Sequence, residues 1–591
     1  MLIHFLQSSS LRTGAVLVVV AGVWLGICRA QQKTSADADE SYQQGLADLK
    51  NGNVAGAQAA FEQTVRLAPN RAEAHNSLGY VLLAEGHVDD ALVQLKAAVR
   101  LDPKLLLAHV NLANALIRKS DLAGAEGEAR EATRLDAKSA EGHRTLGRVL
   151  SFQGKLAEAT AELAQAVELD PKRADLRDEY GSLLVQGQQN EKAAEQFEEA
   201  LRLAPRFGQA KLHLGVLRWQ QQQLDEAQKL LTEAAQLLPE SSQAHFYLGR
   251  ILEQRGAHED AEREFEAAVK LNPDWAEAQT YLGSMLQRQN DVEGALRAFR
   301  RAVELQPDNA DTHNDLGLAM VQAGQAAQSV AEFQTALRLR PDDAAYRGNL
   351  GTAYLQQADF DTAITQFQMA LKSTPDDATL HYNLGLALKL KDQLAEALAE
   401  LHKAEELDPS QPDIHYTLGV TLWQQGAFDD AVKELRSAIV ARNDYAEAHY
   451  TLGTVLKQQG KLQEAADALR EAIRLQPAFA GAHTTLASVL RAQGDSVGAA
   501  AEARLGAQIG QQKTGLQAAT LATSSGRRLL DAGDVEGAIV QFRSAINSSP
   551  NYAQAHFQLG IALKRKGEKD ESAREFRKAA ELDPQLSPPA L

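Results

Sequence analysis

Apolar and polar residues follow one another along this chain with the period of a helix, and the same phrase of 34 residues returns almost without a break. The stretch AEAHYTLGTVLKQQGKLQEA, residues 446–465, is one copy of its least variable part. With each copy numbered from 1, His at position 4, Leu at 7, Gly at 8 and an apolar residue at 11, as in His415, Leu418, Gly419 and Leu422, lie three or four residues apart. That spacing puts them on one face of a first helix, and the face must be buried. A turn follows, often with Gly at position 15 (Gly86, Gly154, Gly426, Gly460), where a helix C-terminus favours a residue that tolerates positive φ. A second helix then carries Ala at position 20, a large apolar residue at 24 and usually Ala at 27, as in Ala193, Phe197 and Ala200. Small residues at two of those sites let helices approach while the large one fills the groove between them. Pro at position 32 closes the copy because it cannot continue a helix, and thirteen of the sixteen prolines fall there.

From Gly45 through Gly79, Ala113 and Gly147 to Ala487, thirteen consecutive steps are each 34 residues; the next, to Gly526, is 39, and a last step of 34 reaches Gly560. The organisation expected is a linker at 31–37, units 1–14 over 38–513, an insertion or joint at 514–518, units 15–16 over 519–586, and a tail at 587–591. The period and the Leu-Gly, Ala, Phe and Pro landmarks resemble the tetratricopeptide repeat family. That resemblance implies an all-α fold, a right-handed superhelical solenoid of about sixteen helical hairpins with the first helices lining the concave side. Departures from the pattern are Ala113 and Ala487 for Gly, Ser329 and Ser572 for Ala, and Ala137, Asn443 and Gln511 for Pro. The insertion reads as a joint or an extended helix, or simply as a longer loop. No polar capping helix is evident after Pro584, so the end near Phe557, Leu559 and Phe576 is expected to be exposed and open to self-association.

The first thirty residues break the pattern. Arg12 precedes an apolar run from Gly14 to Ile27 and a small residue at Ala30, the layout of a secretory signal cleaved after residue 30. The alternative is an N-terminal membrane anchor at residues 11–27, facing outward, although the run is short of the roughly 20 residues a span needs. Cleavage would remove Cys28, the only cysteine, and leave a chain suited to an oxidising compartment. A periplasmic or secreted location follows from this, with no membrane contact beyond the N-terminal segment. The net charge of −17 and the lack of a Lys/Arg cluster argue against a nucleic-acid partner.

Ten of the fifteen histidines share position 4, which raises the question of a metal or catalytic array. Equivalent side chains on helices about 8–10 Å apart point in parallel and do not converge, whereas zinc needs its ligands about 2 Å from one point. Packing at the seam between helices is the expected role. Repeats occupy residues 38–586, no phosphate loop or HExxH motif occurs, and the Asp and Glu residues fall at the spacing of solvated helix faces. No catalytic activity, cofactor or metal is expected.

Binding is what remains. Family resemblance implies that positions 2, 5, 9, 12 and 13 face a ligand in the groove. Position 5 is Tyr382, Tyr416 and Tyr450 in three successive units, and position 12 is Lys389, Trp423 and Lys457 in the same three. Trp219 at position 12, with Arg148 and Arg250 at position 9, would extend the groove. Aromatic anchors flanked by cations suit an extended peptide or a stacked glycan, though tyrosine at position 5 has the alternative role of supporting the adjacent helix. Clamping of a terminal carboxylate in the family's chaperone-tail mode needs Lys at position 5 with Asn at 9; no unit has that Lys, and the nearest, Asn76 with Tyr80, lacks the charge. The function expected is an exported, non-catalytic scaffold that binds a protein or peptide. The alternative is an accessory subunit of an envelope polysaccharide or glycosylation machine that holds a glycan or a glycosyltransferase.

Overall fold

The computed structural model describes residues 35–586. The expected signal at 1–30, with Cys28, and the tail at 587–591 lie outside them. Every element among the described residues is a helix, and none is long and apolar enough to cross a membrane. The chain forms two compact parts, one ending at Leu305 and one beginning at Gln306. Each part is a solenoid of eight helical hairpins, numbered here 1–16 along the chain.

Hairpin 2 shows how the residues build the unit. Its first helix, Ala72–Ala84, buries Leu78, Gly79, Val81 and Leu82, and its second, Val88–Leu101, buries Ala91, Leu95 and Ala98. The two are joined by a turn at which Gly86 has φ +86°. Position 15 has positive φ in all sixteen hairpins, ten times as Gly and six times as Ser120, Gln188, Gln222, Asn290, Ala358 or Asp392. Position 8 has a different requirement, close approach. A Cβ on Gly181 would stand 2.6 Å from the Phe197 ring, and one on Gly453 2.6 Å from Leu469. The two departures from Gly follow from this contact: where position 8 is Ala113 or Ala487, position 24 is Ala129 or Ala503. A methyl on one helix is accommodated by removing the large side chain from the other.

Proline at position 32 is not what ends the second helix. Hairpins 3 and 12, with Ala137 and Asn443 there, still stop at Leu135 and Ala441. In hairpin 3 the Asp136 carboxylate accepts from the Lys138 amide at 2.9 Å and turns the chain. Hairpin 14 has neither Asp nor Pro, with Gly510 and Gln511 at these positions, and its second helix continues as a single helix, Ser496–Asp531, through the insertion and into hairpin 15.

The C-terminal end differs from the exposed apolar surface expected. Leu559 is 2% and Phe576 7% exposed, with Phe576 lying against Gly560 and its ring 5.6 Å from Phe557. The helix Lys569–Leu582 turns Arg574, Arg577 and Lys578 to solvent and buries Phe576 and Ala579.

Candidate functional site

The histidine register is a set of structural clamps. In nine of the ten, Nδ1 meets the side-chain oxygen of position 23 and Nε2 meets the backbone carbonyl of position 32 in the preceding unit. His109 bonds to Glu128 at 2.6 Å and to Pro103 O at 3.0 Å. His313, His381 and His556 repeat this with Glu332, Glu400 and Glu575. His75 uses Gln94. His449, whose position 23 is Ala468, is the exception among the described residues. The histidines do not converge on one another, and each of the nine ties a hairpin to the one before it. The acceptor is legible in the sequence as a Glu nineteen residues after most of these histidines, on the second helix of the same hairpin.

The residues singled out for the groove fall into two groups, one in each compact part. In the second part Tyr382, Tyr416 and Tyr450 stand on successive first helices and are half-buried. The Tyr416 ring lies 5.0 Å from Tyr445 and the Tyr450 ring 4.7 Å from Phe479, the residues that close their own hairpins. Burial raises the Tyr382 phenol pKa, and its oxygen is 3.5 Å from the Thr417 hydroxyl. Trp423 donates its indole N–H to Gln458 at 2.7 Å. Lys389 and Lys457 are half-buried, and burial lowers the Lys389 pKa. The strip exists, and much of its aromatic surface braces neighbouring hairpins.

In the first part Trp219 and Arg250 come together, while Arg148 lies apart from them, 3.3 Å from Asn114. The Arg250 guanidinium sits 4.9 Å over Trp219 and 4.1 Å over Tyr281, and pairs with Glu277 at 3.1 Å. The Trp219 ring is 5.9 Å from Tyr247, and its N–H donates to Gln254 at 3.0 Å. Beside Tyr247 a cavity of about 280 Å³ opens between the first helices of hairpins 5, 6 and 7 (Ala174–Gln186, Gly208–Gln220, Ser242–Gln254). Val185, Leu212 and Val216 give it an apolar floor, and the exposed Gln186, Gln220 and Gln243 a rim of carboxamides. Sequence reasoning missed His213, Tyr247 and Tyr281, which all occupy position 6 in three successive units. The run of rings at position 6, one residue beyond the strip expected at position 5, is visible in the sequence.

The cavity also holds Ser182, His213 and, behind them, Asp178. His213 Nδ1 is 3.3 Å from Ser182 Oγ and 2.8 Å from Asp178 Oδ1, while Nε2 faces the Gln209 amide at 2.9 Å. Both oxygens address one nitrogen. An acid–base relay needs them on opposite nitrogens, so this trio joins hairpins 5 and 6 and does not activate the serine.

Models of the tetratricopeptide repeat match residues 42–105, 81–140, 144–206, 181–231, 212–276, 314–378 and 349–412. Further models of the same repeat match 283–324 and 526–567, 388–455, and 446–479 and 553–586. The chain is a tetratricopeptide repeat protein. Members of this family are generally non-catalytic scaffolds that take part in protein–protein interaction. Among solved structures the chain is similar to the APC/C hetero-tetramer Cut9-Hcn1, at 15% identity over 89% of this chain and 96% of that one, TM-score 0.35. It is also similar to pilF of Pseudomonas aeruginosa, at 18% identity over 35% and 94%, TM-score 0.34. A third is YrrB, described as a TPR protein with an unusual peptide-binding site, at 24% identity over 34% and 100%, TM-score 0.28. No curated protein matches the chain.

Proposed function

We propose that this tetratricopeptide repeat protein is an exported scaffold that seats an extended peptide segment of a partner protein, with the cavity of hairpins 5–7 as the anchoring site. The observation that carries this is the cavity's lining, an apolar floor under a rim of three glutamine carboxamides beside Tyr247. Each carboxamide offers a donor and an acceptor, which is what the main chain of an extended segment requires, while the floor takes one apolar side chain. The Tyr382, Tyr416, Tyr450 and Trp423 strip supplies a second contact surface in the other part of the chain. A glycan held by ring stacking is the alternative, and the edges of Trp219 and Trp423 that remain half-exposed are where it would lie.

Export through residues 1–30 belongs to the same reading. N-terminal sequencing of the protein from its native cells is expected to begin after Ala30; a chain that begins at Met1 in a membrane fraction would replace export by anchoring. The binding reading is tested by a photoreactive side chain placed at Gln220 or Gln243 in the native envelope. The expected outcome is a crosslink to a protein, digested to one segment, that is absent when the probe sits at Arg202 on the outer helix of hairpin 5. Crosslinks equal at all three positions, or to polysaccharide alone, would contradict it.

A further inference from the structure

Among the described residues, one group of His and acidic side chains has the spacing of a cation site: Glu405, His415 and Glu434, whose ligand atoms lie within 4.8 Å of one another. Each comes from a different helix, the second of hairpin 11 (Leu394–Leu407) and the first and second of hairpin 12 (Pro412–Gln425, Phe428–Ala441). His415 Nδ1 is 2.9 Å from Glu434 Oε2 and 3.6 Å from Glu405 Oε1. Its Nε2–H donates to the Pro409 carbonyl at 3.0 Å. A carbonyl only accepts, so Nε2 keeps its proton, and once Nδ1 gives up its own to an ion that bond holds the tautomer of a metal-bound histidine.

Hairpin 12 departs from its own pattern here. The other clamps hold one acid per histidine, or Gln94 at His75, and position 28 of the preceding unit is uncharged, as at Val65, Val99, Thr133, Leu371 and Ile473. Among the described residues, His415 is the register histidine with ion-pair contacts to two carboxylates, Glu434 and Glu405. Glu434 is 4% exposed, so two carboxylates face one imidazole with one of them out of water. Such a pair is costly without a cation between them. The remaining charged neighbours are His402, whose Nδ1 is 3.2 Å from Glu405 Oε2, and Lys433, whose ammonium is 3.3 Å from Glu434 Oε1 and whose side chain is otherwise exposed.

The geometry points to a divalent transition-metal site, with zinc the ion that its donors fit best. Imidazole and carboxylate donors at about 2.0–2.2 Å from Zn²⁺ stand roughly 3.3 Å apart in a tetrahedron, close to the distances around Nδ1. Glu405, His415 and Glu434 give three ligands, and His402, one turn before Glu405, is placed to give a fourth or to leave it to water. Because the ligands belong to two hairpins, the ion staples hairpin 11 to hairpin 12 and stiffens the stretch that carries Tyr382, Tyr416 and Trp423.

The test uses the full chain after chelator treatment, titrated with ZnCl2 by calorimetry and with CoCl2 for its visible d–d absorption. One equivalent of each ion is expected to bind, with Co²⁺ bands of a low-coordinate N/O site. Glu405→Ile restores the residue class found at this position elsewhere, so it keeps the fold, and it is expected to weaken Zn²⁺ binding at least tenfold and abolish the Co²⁺ bands. His402→Gln is expected to shift the bands and retain one equivalent. The wild type binding neither ion, or Glu405→Ile binding both as well as the wild type, would overturn the site and leave His415 a structural clamp like its counterparts.

Discussion

Ala358 adopts φ +60° at a turn where ten hairpins place glycine. A β-carbon in the left-handed region is crowded by the following carbonyl, which costs about 1–2 kcal/mol, offset in part by the greater freedom glycine has when unfolded. Ala358→Gly is therefore expected to stabilise hairpin 10 by about 0.5–1 kcal/mol, read as slower hydrogen exchange of its amides; exchange that is unchanged or faster would show that the turn is unstrained. His109 supports a second prediction at this scale. Its ring meets two acceptors, Glu128 and the Pro103 carbonyl, and satisfying both requires both N–H groups. The Glu128 hydrogen bond raises its pKa above the ordinary 6.5 against the opposing effect of burial, with Glu131 adding a smaller pull in the same direction. A raised folded-state pKa stabilises the fold fully below pH 6.5, and the contribution is lost as pH climbs through the raised value. NMR titration should find His109 above 6.5 and Glu128→Gln should lower it; a value at or below 6.5 in the wild type would contradict the clamp. The histidine's structural role was legible from its register alone, whereas its acid partner lies on another helix and emerges only when the two helices are laid side by side.

Helix pairing is governed by an exchange between positions 8 and 24. Gly181 lies under the Phe197 ring, so Gly181→Ala places a methyl where the ring stands and is expected to destabilise by about 1–3 kcal/mol. Because hairpins 3 and 14 use Ala at both positions, Gly181→Ala combined with Phe197→Ala is expected to cost less than the sum of the two single changes, measured as a double-mutant cycle by denaturant unfolding. Strict additivity would mean that the contact plays no part. The landmark residues and the period gave the hairpins without the structure. The helix ends were less legible, because proline was read as the stop although Ala137 and Asn443 leave the stop in place. The continuous helix Ser496–Asp531 lacks both the Asp and the Pro signals, at Gly510 and Gln511, but so does hairpin 12, with Arg442 and Asn443, whose second helix still stops at Ala441, so the continuation is not legible from those two positions. Gln511→Pro removes a backbone hydrogen bond from its interior and is expected to weaken the helix by about 3 kcal/mol, seen as raised exchange between residues 500 and 520; protection left intact would show that the helix is already broken there.

At the scale of the molecule, repetition decides what can be read in advance. Sixteen equivalent units fix which face of each helix is buried, and equivalent positions in adjacent hairpins bring Trp219 and Arg250 together. Position does not say how rings use their surface: Tyr416 and Tyr450 lean on Tyr445 and Phe479, and the cavity opens instead beside Tyr247, one position away from the strip that had been followed. On the function proposed above, this cavity seats a segment of a partner protein. The most direct measurement is the affinity of the crosslinked segment, made as a free peptide, for the wild type and for Val216→Arg, which fills the apolar floor from a half-exposed position at little cost to the fold. Val216→Arg is expected to weaken binding at least tenfold with thermal unfolding unchanged; equal affinity for the two proteins would rule the cavity out as the seat.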